Sequence, residues 1–235
     1  MIKRYIGVIF VYLFAQLSPL LVSKILISNG LDLTSHNNIV MNWQVLSFLV
    51  ALFVSIILLH KTEEPFNDRN FASPVMTFVW IVIGFFMAIF GQALANIIYA
   101  AITGGLEQSQ NTVEIMQIAR AYPIFIIIVA IIGPILEEII FRKIIFGEIF
   151  KRSNFWVAGV ISGLIFAVVH NDFTHLHIYF IMAFVFAFIY VKSNRIIVPI
   201  MAHVLMNSFV VIAQLTLPED FFETANFIQL ILLGG

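Results

Sequence analysis

The chain has 235 residues, 61% of them hydrophobic and 11% charged, with no cysteine and a net charge of -1; its mean hydropathy is +1.03. Water-soluble domains run at about 45–50% apolar and about 25% charged residues, so lipid must be the solvent for most of this surface. The same figures exclude disulfides, thiolate metal sites and a cysteine nucleophile, and give no support for a nucleic-acid partner.

The chain opens Met1-Ile2-Lys3-Arg4 before an apolar run, as a secretory signal would. The run continues to about Ile27 without a small-x-small cleavage site, so it reads as a retained first span. A helix needs about 20 apolar residues to cross the hydrocarbon. Seven stretches meet that requirement, at about 5–27, 40–59, 74–102, 122–150, 155–171, 176–192 and 196–214, and a short eighth covers 221–233. Connectors such as Asn29–Asn38 and Lys61–Asn70 are too short to house a soluble domain. The expectation is all-α: a polytopic transmembrane helical bundle of seven or eight spans, forming one integral membrane domain over 1–235.

Charge orients this bundle. With a cytoplasmic amino terminus, that side collects Lys3, Arg4, Lys61, Arg69, Arg142, Lys143, Lys151, Arg152, Lys192 and Arg195. The far side keeps Lys24 and Arg120. Ten basic residues against two is the bias expected of cytoplasmic loops in a cell membrane.

Strongly polar groups inside a bilayer helix cost several kcal/mol unless they find partners or line a wet cavity. The first three spans carry a few amides, Gln16, Asn42, Gln44, Gln92 and Asn96, which read as helix–helix or interfacial groups. The later spans differ. The fourth bears Glu137, Glu138 and Arg142, the fifth His170, and the seventh His203 and Asn207. Glu138 and Arg142 share a helix face and can form an ion pair. Glu137 is turned about 100° away and keeps a carboxylate available as a general base. Ser153-Asn154 is the turn between the fourth and fifth spans, and Glu137 and His170 lie equally far from it. An antiparallel hairpin therefore brings the two level. The mixed stretch Phe141–Arg152 reads as a helix emerging into the cytosol, with the site in the cytoplasmic half of the membrane. His170, Asp172, His175 and His177 suggest a metal cluster at first sight, but their place between two spans reads better as a solvated interfacial loop.

Together, Glu137-Glu138-x-x-x-Arg142, Phe166-x-x-x-His170 and His203-x-x-x-Asn207 resemble the three-motif signature of the CPBP family, the CAAX protease and bacteriocin-processing (Abi) group. That family includes the eukaryotic Ras-converting prenyl-protein endopeptidase. The motifs span 137–207, within a four-helix catalytic core at about 122–214. The resemblance implies an intramembrane endopeptidase in which Glu137, with His170, activates a water and His203 with Asn207 stabilises the oxyanion. Glu138, Arg142 and Phe166 would support them. It leaves metal dependence open, since Glu137, His170 and His203 are also a two-His, one-carboxylate set of the type zinc uses. The implied partner is a membrane-associated peptide or protein, and for a compact chain of the bacterial type prenylated substrates are not expected. Two rivals stand beside it: a non-proteolytic scaffold or regulator on the same fold, in bacteriocin immunity or sensor-kinase control, and a proton-relay transporter.

Overall fold

The structure, a computed structural model, describes residues 1–60, 62, 71–105 and 109–217 of the chain. Among these every regular element is helical. We number them α1 (Ile2–Ser28), α2 (Leu33–Leu59), α3 (Pro74–Thr103), α4 (Gln110–Ala121), α5 (the helical stretch 125–150), α6 (Phe155–Val169), α7 (Leu176–Ser193) and α8 (Ile197–Thr216). Side-chain oxygens cap several amino termini: Asp32 accepts from Ser35 N–H, Ser73 from Met76, Ser109 from Thr112 and Asn154 from Val157. Gly104 closes α3 at φ +87°, where a side chain would be strained.

Five helices, α1, α2, α3, α7 (with the turn before it) and α8, are long and apolar enough to cross a membrane, and α6 is a shorter apolar helix. The chain is thus a multi-pass helical bundle. α1 and α2 form an antiparallel hairpin, α3 packs on α7 and α8, and α6 lies between α5 and α7. Close approach of α6 to α7 depends on Gly159, where a Cβ would fall 2.9 Å from Phe184 Cε1.

Several expectations are corrected here. α2 begins at Leu33, so the connector before it shrinks to Asn29–Asp32, and α6 ends at Val169 because Asn171 adopts φ +54°. α4 was not expected at all. It buries Thr112, Met116 and Ala119 on one face and exposes Glu114, Gln117 and Arg120, so half its surface is polar and a hydropathy reading passes over it. Within Phe141–Arg152, Phe141 to Ile144, Phe146 and Gly147 are buried in the protein, and full exposure begins at Lys151. The eighth span at 221–233, and the charges Lys61 and Arg69, lie outside the described residues.

α5 is not a uniform helix. Its α-helical turns at Phe125–Ile127, Gly133–Glu138 and Gly147–Phe150 are separated by π-helical turns at Ile128–Ile132 and Ile139–Phe146. The acidic pair sits between the two π turns, which are frequent at functional sites because they shift a helix face and release backbone groups.

Candidate active site

Glu138 and Arg142, one turn apart on α5, are 0% and 1% exposed, with Arg142 Nε 3.0 Å from Glu138 Oε2. The guanidinium lies 4.4 Å from the ring centroid of Phe166 and 5.4 Å from that of Phe186. Aromatic faces from α6 and α7 thereby supply the cation with electrostatic contact where hydration is absent. The other oxygen of Glu138 accepts the Nδ1–H of His203 at 2.8 Å. One buried carboxylate therefore joins α5 to α8, and it fixes the imidazole so that Nε2 points the other way.

That second nitrogen faces Glu137, with His203 Nε2 3.9 Å from Glu137 Oε2. This is too long for a direct hydrogen bond and suited to sharing a water. Glu137 is 18% exposed, and among the described residues its carboxylate accepts no hydrogen bond. It lines a cavity of about 650 Å³ together with His170, His203 and Asn207.

His170 caps the end of α6. Its Nδ1–H donates to the Phe166 carbonyl at 2.7 Å, and its ring stacks on Tyr179 at 4.2 Å, so Nε2 is left for other partners. Phe166, 0% exposed, packs its ring 4.5 Å from His170 and 6.3 Å from His203, which spaces the two imidazoles. Asn207 is one turn beyond His203, and its Nδ2 donates to the Val129 carbonyl at 3.1 Å. The reason lies in α5. In the π turn Gly133 N–H reaches back to the Ile128 carbonyl, so the next donor in that series should be residue 134 and its acceptor Val129. Residue 134 is proline and has no N–H. Asn207 supplies the missing donor.

Sequence reasoning passed over that Pro134–Val129–Asn207 link, together with Tyr12, Tyr179 and the α4 residues Asn111 and Thr112 on the cavity wall. The signals were present: Gly133-Pro134 within an apolar helix, and Tyr12 with Gln16 one turn apart on the first span. The His170–His177 segment also differs from its reading as a solvated loop. Asp172 and His175 are 6% and 2% exposed; Ser109 donates to Asp172 Oδ2 at 2.6 Å and His175 Nδ1 to Asp172 Oδ1 at 2.9 Å. This clip ties the start of α4 to the α6–α7 connection. Burial alone would raise the Asp172 carboxyl, yet the hydrogen bonds from Ser109, His175 and Thr174 hold it below its ordinary value. Of the early amides, Gln16, Gln44 and Gln92 line the cavity, whereas Asn96 accepts from His177 Nε2 at 3.3 Å and Asn42 is exposed.

No three His, Asp or Glu side chains among the described residues gather closely enough to hold a metal ion. The set Glu137, His170 and His203 thus does not fit zinc in this arrangement, and no step below passes through a metal.

A family model described as type II CAAX prenyl endopeptidase Rce1-like matches residues 119–209, which take in all three motifs. The chain is 39% identical over 239 residues to the putative membrane peptidase YdiL of Bacillus subtilis (strain 168), covering 99% of the chain and 98% of that protein. It is 39% identical over 234 residues to the membrane-embedded CAAX protease MroQ of Staphylococcus aureus (strain USA300), covering 94% of each. Over a shorter stretch of 83 residues it is 40% identical to the UPF0177 protein YxdF of Lactococcus lactis subsp. lactis (strain IL1403), covering 35% of the chain and 45% of that protein. No solved structure matches the chain. The class is therefore that of polytopic membrane proteases. Within it, the chain belongs to the Rce1-like family of CAAX-type proteases.

Proposed function

We propose that this protease hydrolyses a peptide bond of a membrane-associated peptide or protein, with Glu137 as the base that activates water. The observation that carries the reading is the Glu137 carboxylate: it has no hydrogen-bond partner among the described residues, lines the cavity and stands 3.9 Å from His203 Nε2. A base must be free to take a proton and close enough to hold the water it deprotonates. His170 presents its Nε2 as a second acceptor for that water. His203, held by Glu138 and carrying a proton, directs an N–H into the cavity towards the developing oxyanion. The second Nδ2 hydrogen of Asn207 serves the same oxygen, and the bond to Val129 orients it.

The substrate reaches the site through lipid. Cavity-lining Leu13 and Leu17 on α1, and Ile165 and Val169 on α6, are between 40% and 56% exposed, which makes an apolar mouth. Anchored peptides or proteins with an apolar segment fit such a mouth. The amino terminus lies on the cytoplasmic side of the cell membrane, in keeping with the basic residues. The test compares peptides shed by cells carrying the wild-type protein with those from cells carrying Glu137→Gln, by mass spectrometry. Products present only with the wild type support the reading and identify the substrate, prenylated or not. Equal peptide profiles from two equally folded proteins would leave a scaffold or regulator instead.

A further inference from the structure

The motif residues are sparing with donors on the electrophilic side of this reaction. His203 commits Nδ1–H to Glu138, His170 commits Nδ1–H to Phe166, and Asn207 commits one amide hydrogen to Val129. A further donor faces the same cavity from α1, a helix that bears none of the motifs.

Tyr12 is 8% exposed and lines the cavity with Glu137, His203 and Asn207. Gln16, one turn further along α1, donates Nε2–H to the Tyr12 hydroxyl oxygen at 3.0 Å. That bond occupies an acceptor site on the phenol and leaves its proton undirected, since no second residue among those described bonds the hydroxyl. Accepting one hydrogen bond also makes a hydroxyl a stronger donor of its own. The ring is held by Phe48 of α2, edge to face with centroids 6.4 Å apart. Tyr12 also lies near enough to Glu137 to interact with its charge.

We propose that Tyr12 is a further catalytic residue, its O–H donating to the oxygen of the scissile carbonyl as negative charge develops there. The proposal rests on the peptidase reading above. In the attack, a water proton passes to the Glu137 carboxylate while the water oxygen bonds to the carbonyl carbon. The π pair moves onto the carbonyl oxygen, where Tyr12 O–H, His203 N–H and Asn207 N–H meet it. Collapse re-forms the C=O bond and breaks C–N, and the proton on Glu137 goes to the departing nitrogen. The products are a carboxylic acid and an amine, and Tyr12 ends as it began. Gln16 is a positioning residue for it.

The test uses an internally quenched peptide chosen from a library digest because the purified full-length protein cleaves it, together with the phosphinyl analogue of that peptide. Tyr12→Phe keeps the ring and its packing. It is expected to lower kcat by about 10²-fold, the scale for one oxyanion donor, with KM changed less than about twofold. The phosphinyl analogue, which places an anionic oxygen where the tetrahedral one forms, should lose affinity by a similar factor, and the product peptide should lose none. Gln16→Leu should show the same split at about tenfold. Wild-type kcat in Tyr12→Phe would overturn the role of Tyr12 and leave the peptidase reading standing if Glu137→Gln is inactive. Parallel losses for analogue and product would mark Tyr12 as packing alone and overturn it too. If the wild-type protein cleaves no library peptide and Glu137→Gln gives the same digest, the peptidase reading falls and takes this role with it.

Discussion

The α1–α2 hairpin and the α5–α8 core are both apolar enough for lipid, but they accommodate polar groups in opposite ways. Over a spanning window α1 and α2 are 28% and 22% buried within the protein, against 56% for each of α7 and α8. The hairpin carries neutral groups, Tyr12, Gln16 and Gln44, one helix away from lipid. The core carries ionic ones, and its fully buried pair draws partners from several helices: Glu138 from α5 and α8, Arg142 from α5, α6 and α7. A charge in a bilayer has to be surrounded, which demands dense packing, whereas an amide tolerates a looser wall. The densely buried half positions Glu137, His170, His203 and Asn207, while the less buried α1 lends Tyr12, Leu13 and Leu17 to the same cavity wall.

This contrast can be broken most directly at the acidic pair. Glu137→Gln should cut peptide hydrolysis by about 10²–10⁴-fold with an unchanged melting temperature, because the carboxylate accepts no hydrogen bond among the described residues. Arg142→Met should do the reverse and destabilise the fold by about 3–5 kcal/mol, since the buried Glu138 charge is left uncompensated. Its melting temperature in detergent should recover when Glu138→Gln is added, with cleavage still impaired because a neutral amide oxygen holds His203 Nδ1–H less strongly than a carboxylate.

A smaller effect tests the backbone link. Asn207→Leu orphans the Val129 carbonyl and should cost about 1–3 kcal/mol. Pro134→Ala restores a backbone donor beside it, so the double variant should regain stability measured by thermal unfolding, but not activity. Additive single effects would show that the two residues do not share this carbonyl.

The α4 clip gives a pH-dependent effect of about the same or lesser size. Asp172 has a depressed value in the folded protein, so its contribution to stability is complete above the unfolded carboxylate value of about 3.9 and is lost as pH falls through the folded value. Asp172→Asn should lower the melting temperature at pH 7, and the gap to the wild type should narrow as pH falls below about 3.9 towards the folded value. A gap that stays constant would mean that the carboxylate charge contributes nothing to the clip. Smallest of all, Gln44→Leu in the hairpin should shift stability by less than about 0.5 kcal/mol, because its amide makes no hydrogen bond among the described residues. A large loss there would show that the hairpin relies on polar contacts as the core does.

The helical bundle was legible in the sequence because a bilayer admits only fully hydrogen-bonded segments, and runs of about 20 apolar residues announce them. The face shared by Glu138 and Arg142, and the separate face of Glu137, followed from the 3.6-residue period of one helix. α4 was hidden for the opposite reason: its apolar residues cover only one side. What tertiary structure alone decided are contacts between residues far apart in the chain. Which nitrogen of His203 meets which carboxylate, how Asn207 completes a carbonyl that Pro134 leaves bare, and why Tyr12 lines the same cavity as Glu137 depend on the crossing of α1, α5 and α8. A local period places a side chain on a face of its own helix. It carries no record of what another helix brings to meet that face.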